Sequence, residues 1–467
     1  MKLFNSLTNQ IEEVTPINDK ELKLYSCGPT VYDHIHIGNL VSFIYADTLA
    51  RVLRTSKFKV TQIMNITDID DKTIKRSQEE FPEEDPMSAL HKLTIKYSEL
   101  FKQDIEDVGN EVDKVKFINA TESIDLMQSL IGKLIDSGAA YEADDGIYFS
   151  IEKYSKSGKK YGQLVKLSDA STSEARILND EYDKENIHDF ALWKTQRGNE
   201  PAWDFKLNDT NYKGRPGWHI ECSAMSTNEL GQPFDIHTGG IDLKFPHHEN
   251  EIAQSTSGKN DDRLANIFFH NEHLLIDGRK MSKSLNNFFT LTDITSHSYD
   301  PLAFRLLVLQ GHYRNQVNFT WESLEASQNR LKSLQELADL RWQPKELGVF
   351  KIDEEILSKI KNEAQSDLNI PQLLVIASQV QDEALNKLFN HDTISTLNHY
   401  LQLLDDILGL GLLTSSDITD KQKTLVQNRE SFRSDNKYKE ADNIRAELEN
   451  QKIGLRDTAA GTIWYRL

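Results

Sequence analysis

Cysteine is scarce in this chain. Its 467 residues hold two, Cys27 and Cys222. Two thiols so far apart make no disulfide framework, and they fit a reducing cytoplasm, where they stay free or bind metal. Long apolar runs are missing as well. Nothing approaches the ~18 apolar residues that would span a bilayer. The opening MKLFNSLTNQ lacks the apolar centre of a signal peptide. Positive charge is in deficit, with 54 Lys and Arg against 73 Asp and Glu and a formal charge of −19. That excludes a protein that coats nucleic acid non-specifically, but it permits local basic patches such as KYSKSGKKYGQLVK at 153–166. No internal repeat is present.

The length points to two to four domains. LKLYSC reads as a strand and FKVTQIMNIT as another. Between them, residues 39–54 have helical spacing, with Phe43, Ala46, Leu49, Ala50 and Leu53 on one face. Asp71 onward is helical. Strand, helix, strand in succession predicts a parallel α/β unit. Residues 120–213 begin with a helix that ends at Gly138 and then turn polar. They read as an insertion whose section 168–188 is mobile. From 321 the pattern becomes amphipathic helices, which predicts a helical bundle. The chain closes on a helix, YKEADNIRAELENQ, and a hairpin formed by IGLRDT and GTIWYRL.

Three groups of residues can carry chemistry. His36-Ile37-Gly38-Asn39 follows a strand and opens a helix, where backbone N–H groups and an imidazole can face an anion. A lone His-x-Gly is more often a simple turn. GRKMSKSLNN at 278–287 sets Lys280 and Lys283 around a serine in a loop opened by glycine. Such a loop can wrap a polyphosphate and neutralise charge on a leaving group; a solvated surface loop is the bland alternative. Finally, Cys27 and Cys222 combine with FPHHENEIAQ. His247 and Glu251 are four apart and share one helix face. Two thiolates, an imidazole and a carboxylate make a zinc set. His248 can replace His247 by spacing, and satisfied core residues are the other alternative.

Together, His36–Asn39 and Lys280–Ser284 resemble the signature pair of the class I aminoacyl-tRNA synthetases. CGPTVYD (27–33), NITDIDDK (65–72), DFALWK (189–194), GWHIECSAM (217–225), GGIDL (239–243), FPHHENEIAQS (245–255) and the ending ADNIRAELE…IGL-DT…GT-W are similar to the cysteinyl-tRNA synthetases, in the family's order and over nearly the whole chain. Two departures stand out: Thr238 replaces the first of three glycines that usually follow His237, and VKLSDASTSEARILNDEYDKEN replaces a more regular stretch.

The resemblance implies an α/β fold: a Rossmann-type catalytic domain with an inserted connective domain, a helical bundle and a small C-terminal anticodon-binding domain. Its ranges would be 1–119 and 214–260 for the two catalytic halves, 120–213 for the insertion, 261–320 for a stem-contact region, 321–407 for the bundle and 408–467 for the terminal domain. It implies activation of cysteine by ATP with Mg²⁺, then transfer to the 3′ end of tRNA(Cys). It favours His247 as the ligand beside Cys27, Cys222 and Glu251. It places ATP at His36, Gly38, Asn39, His237, Gly239, Gly240, Asp242 and Lys283. Catalysis falls to His36, Asn39, Lys280 and Lys283, and cysteine binding to Gly28, Thr67 and Trp218. Arg433, Tyr438, Asp442 and Asp457 offer a guanidinium, a ring and two acceptors for unpaired anticodon bases. A cytoplasmic monomer is expected. Two other readings compete. A ligase joining cysteine to an amino sugar would lack the long terminal region, and a non-enzymatic RNA binder would not need the complete signatures.

Overall fold

The computed structural model describes residues 1–165, 189–207, 210–281, 287–344, 352–459 and 461–467. The polar section 168–188 lies outside the described residues, and so does Lys283. The chain divides into two compact units, one built from 1–274, 280–291 and 313–316, the other from 275–279, 292–312 and 317–467.

The first unit opens with a hairpin, β1 (Lys2–Asn5) and β2 (Gln10–Glu13). Then come β3 (Glu21–Ser26), α1 (Ile37–Thr55), β4 (Lys59–Ile66), α2 (Asp71–Glu80), α3 (Pro86–Asp107) and β5 (Val115–Asn119). The expected strand–helix–strand unit is present, with α1 starting two residues earlier than its apolar spacing suggests. His36 explains the early start: as N-cap, its Nδ1 accepts the Asn39 N–H at 3.1 Å. A capping box of Asp70 and Thr73 starts α2.

After β5 the chain leaves the sheet. Helix α4 (Ile124–Asp136) ends before Gly138, whose φ of +76° reverses the chain. Strands β6 (Ala140–Ala143) and β7 (Gly146–Ser150), helix α5 (Ile151–Lys156) and strand β8 (Asp189–Thr195) follow. Past the short pair β9 (Lys206–Leu207) and β10 (Thr210–Asn211), β11 (Gly214–Pro216) completes a four-stranded sheet in the order β11–β8–β7–β6. Phe149, Trp193 and Phe205 from this region share one core with Tyr25, Ile63, Met225 and Phe268.

The chain then returns through α6 (Trp218–Leu230), β12 (Phe234–Gly240), α7 (His247–Thr256) and β13 (Ala265–Asn271). The central sheet is parallel, in the order β13–β12–β3–β4–β5. From β3 the chain winds one way to β4 and β5; after the insertion it winds the other way through β12 and β13. The reversal falls between β3 and β12, and a doubly wound sheet opens its crevice at the carboxyl ends of the strands there. All ten residues of α7 are buried, although eight are polar.

The second unit is mostly helical, with Pro301–Leu309, Trp321–Asp339, Glu354–Gln365, Ile370–Lys387 and Ile394–Leu408 in succession. Helices Asp420–Ser434 and Tyr438–Asn450 and an antiparallel hairpin, Ile453–Thr458 with Gly461–Arg466, follow. They close a small core of Ile418, Val426, Leu448, Ile453, Leu455 and Trp464. The Gln343 side chain acts as a short strand beside the hairpin: its Nε2 donates to Trp464 O at 2.7 Å and its Oε1 accepts the Trp464 N–H at 2.8 Å. Among the described residues no helix is long and apolar enough to cross a membrane.

Candidate active site and metal cluster

A cavity of about 460 Å³ sits at the carboxyl ends of β3, β4, β12 and β13. Cys27, Gly28, Thr30, Tyr32, Asp33, His34, His36, Gly38 and Asn39 line it from the loop after β3 and the start of α1. Lys72, Trp218, Gly240, Asp242, Asn271, Glu272 and His273 line the other walls, with Lys280, Met281 and Phe288. Gly28 has no alternative. A Cβ there would lie 1.7 Å from Asn65 O, while its N–H donates to Asn65 Oδ1 at 2.8 Å. Gly240 is similarly tight, since a Cβ would meet Asp242 Oδ1 at 2.5 Å.

Behind one wall lies a buried polar cluster. One potential ligand atom each from Cys27, Cys222, His247 and Glu251 lies within 4.8 Å of all the others. Cys27 Sγ is 3.7 Å from Cys222 Sγ and 3.7 Å from Glu251 Oε1. His247 Nε2 is 3.0 Å from Glu251 Oε1. Cys27, His237, His248 and Glu251 form a second such group, sharing two members with the first. The alternative between His247 and His248 left by spacing is therefore physical: both imidazoles reach the cluster. His248 Nε2 is 3.3 Å from Cys27 Sγ, and its Nδ1 pairs with His270 Nε2 at 2.8 Å. His247 Nδ1 pairs with His219 Nδ1 at 2.8 Å.

Charge is unbalanced here. Burial pushes the Cys27 thiol well up, and the thiol of Cys222 and the carboxylate of Glu251 add to the push. Burial also acts to raise Cys222, but the hydrogen bond with Cys27 and the nearby His247 outweigh it and hold it at about 6. Burial opposes ionisation of Glu251, yet His237 and His247 hold it at about 2. Burial opposes charge on His247, and the negative charge of Glu251 and Cys222 overrides it to about 10. A divalent cation would offset the burial, and with it the repulsion, that keep Cys27 protonated. His247 Nε2 is buried and faces Glu251 Oε1 inside the cluster, where a metal could bridge the two.

Beyond the cluster, the residues expected in the cavity divide in two. Gly28, His36, Gly38, Asn39, Trp218, Gly240, Asp242 and Lys280 line the cavity. Trp218 also stacks on His247, with centroids 4.2 Å apart. A second set is turned away from it. Thr67 is fully buried and donates to Glu221 Oε2 at 2.8 Å. His237 is fully buried with its Nε2 2.8 Å from Glu251 Oε2, and a Cβ on Gly239 would meet the His248 ring. Asn271, Glu272, His273 and Phe288 are cavity residues that spacing did not flag. His219 and His270 are cluster neighbours of the same kind.

In the second unit, Arg433 Nη1 lies 3.4 Å from Asp457 Oδ2, and Tyr438 and Asp442 are exposed one turn apart. Part of the Asp457 carboxylate is already occupied by Arg429, at 2.6 and 2.9 Å.

A family profile described as the class I (C) tRNA synthetase catalytic domain matches residues 13–329. The fold agrees. A Mycobacterium tuberculosis methionyl-tRNA synthetase in complex with methionyl-adenylate superposes with a TM-score of 0.58 at 11% identity, over 84% of this chain and 92% of that one. A leucyl-tRNA synthetase in a ternary complex, from Agrobacterium radiobacter, also gives 0.58 at 11% identity, over 87% and 86%. These define a class I aminoacyl-tRNA synthetase. A cysteine–tRNA ligase of Brachyspira hyodysenteriae is 38% identical over 99% of this chain and 98% of its own. One from Koribacter versatilis is 36% identical over 100% and 99%. The chain belongs to the cysteine–tRNA ligase family.

Proposed function

We propose that the chain activates cysteine with ATP, releasing pyrophosphate, and passes the cysteinyl group to the 3′ end of tRNA(Cys). We propose further that it selects cysteine through a zinc ion held by Cys27, Cys222, His247 and Glu251. The observation that carries the zinc reading is the cluster itself: four potential ligand atoms within 4.8 Å of one another, beside the substrate cavity. This set is preferred over the one with His237 and His248 because it supplies two thiolates, which suit zinc. Zinc there would bind the substrate thiolate and leave a serine hydroxyl unbound, a distinction that pocket size makes poorly.

The chain's own residues supply the rest. Cys27 is the one ligand of the four that borders the cavity, so the substrate side chain meets the cluster there. Trp218 closes the same end, with Gly28 leaving room for the amino acid. His36, Gly38 and Asn39 place the N-terminus of α1 against the phosphates of ATP, which enters with Mg²⁺. Gly240 lets the nucleotide approach the end of β12, and Asp242 accepts from its ribose hydroxyls. Lys280 and Lys283 neutralise the departing pyrophosphate. The substrate carboxylate attacks the α-phosphorus. Arg433, Tyr438, Asp442 and Asp457 read the anticodon, and the six sequence ranges stand as functional domains. The protein acts as a cytoplasmic monomer, in keeping with its free buried thiols.

The test is metal analysis of wild type and Cys222→Ala beside pyrophosphate exchange with cysteine and with serine. One zinc per chain is expected, lost in the variant, with cysteine preferred by far more than tenfold. Exchange with serine within tenfold of cysteine, worth only about 1.4 kcal/mol, would defeat the zinc reading.

A further inference from the structure

The cavity wall divides according to the strand that supplies it. Cys27, Gly28 and Trp218 bound one end, over the buried cluster. His36, Gly38, Asn39, Gly240 and Asp242 bound another, at the start of α1 and the end of β12. A third part lies over the carboxyl ends of β3 and β4, where Thr30, Tyr32, Asp33, His34 and Lys72 face the cavity. The roles proposed above leave this third part without an occupant.

Its geometry is held by the backbone. Val31 N–H donates to Thr67 O at 3.1 Å, and Thr67 N–H donates to Pro29 O at 3.0 Å. The loop bearing Tyr32 is thus stitched to the segment leaving β4. Lys72 stands in the first turn of α2, which Asp70 and Thr73 cap. Its Nζ is 5.6 Å from the centroid of the half-buried Tyr32 ring. The ammonium lies over the ring, so a nucleobase can take its place on the aromatic face while the ammonium turns to the phosphate.

The transfer chemistry requires such a place. A terminal ribose hydroxyl attacks the carbonyl carbon of the adenylate. The new C–O ester bond forms as the bond from that carbon to the phosphate oxygen breaks. AMP leaves with the electron pair, and the hydroxyl proton leaves with the phosphate. The cysteinyl and adenosine halves of the adenylate fill the first two parts of the cavity, so a second nucleoside must come from the third. We infer that Tyr32 and Lys72 hold the terminal adenosine of tRNA, base against the Tyr32 ring and 5′-phosphate at Lys72. This rests on the assignment of the first two parts to cysteine and ATP.

The experiment compares Tyr32→Ala, Tyr32→Phe and Lys72→Ala with wild type in two assays: cysteine-dependent pyrophosphate exchange, and single-turnover transfer from preformed adenylate to tRNA. In Tyr32→Ala, transfer should slow about tenfold to hundredfold more than exchange, the range expected for one lost stack. Tyr32→Phe should keep most of the transfer rate. Lys72→Ala should require more tRNA for half-maximal transfer and show a shallower salt dependence. Equal losses in both assays, or no loss of transfer in either alanine variant, would overturn the inference. Asp242→Asn, run alongside, should raise the KM for ATP in exchange. An unchanged KM would instead remove the assignment of ATP to its end of the cavity, whatever the Tyr32 variants show.

Discussion

Replacing Asp457 by alanine should loosen the terminal hairpin. Arg429 is 1% exposed and donates Nη1 to Asp457 Oδ1 at 2.6 Å and Nη2 to Oδ2 at 2.9 Å. Without that carboxylate, among the contacts described here its guanidinium keeps the Thr462 hydroxyl at 3.0 Å. Removing one partner of a buried pair costs about 3–5 kcal/mol. Asp457 is itself 40% exposed, so water takes up part of the load and about 2–3 kcal/mol remains. Hydrogen exchange read by mass spectrometry on peptides spanning 453–466 measures local opening directly. Exchange there should speed up about 30-fold to 150-fold. Adding Arg429→Met to the same chain should recover much of the loss, because no charge is then left buried. The hydrogen bonds from Arg429 hold the Asp457 carboxyl well below its usual range, against a smaller opposing effect of burial. Its contribution is therefore complete above the unfolded value of ~3.9 and is lost as pH falls through the lower folded value. Hairpin stability should be flat from this source between about pH 7 and 5. An acceleration under about twofold at neutral pH, worth less than ~0.5 kcal/mol, would refute the argument.

Gly28→Ala should lower the melting temperature sharply, since its Cβ would sit 1.7 Å from Asn65 O; an unchanged Tm would show that the loop can move aside. Trp218→Ala should raise the KM for cysteine while leaving that for ATP nearly constant, and an unchanged cysteine KM would take the ring out of the pocket. Arg433→Ala should reduce kcat/KM for tRNA charging about tenfold to hundredfold, as loss of a base contact does. Pyrophosphate exchange should stay within about twofold, and equal losses in both reactions would remove Arg433 from anticodon reading.

Much of the fold was legible because its period was exposed. The helices at 321–339, 354–365, 394–408 and 438–450 each alternate a buried stripe with a wet one, and spacing finds them; α1, buried almost throughout, still shows an apolar repeat. The helix at 420–434 escaped notice. DKQKTLVQNRESFRS buries Val426 and Arg429, too little for a stripe. The signature lysines and the thiol pair were readable as residue types in particular strings. Of the imidazoles around the cluster, spacing offered His247 and its alternative His248 and no others. His219, His237, His248 and His270 come from α6, β12, α7 and β13, and only the sheet order brings them together. Thr67 shows the converse: a polar residue at a strand end, where a substrate contact is expected, spends its hydroxyl on Glu221 inside the core.

Helix α7 has a consequence for how this chain tolerates change. Its outward-looking composition, HHENEIAQST, would suggest a surface helix, yet it has no wet side. His247 and Glu251 serve the cluster. Glu249 takes three backbone N–H groups from residues 162–164, Asn250 takes the Tyr161 hydroxyl and Gln254 that of Ser223. Each polar atom named here is spoken for by a different part of the unit. In a saturation library, an amphipathic helix alternates permissive and forbidden positions every three or four residues. This one should appear as an unbroken block in which even Glu-to-Gln and Asn-to-Asp exchanges are depleted. Sequence drift within the family would then have to run around these ten positions.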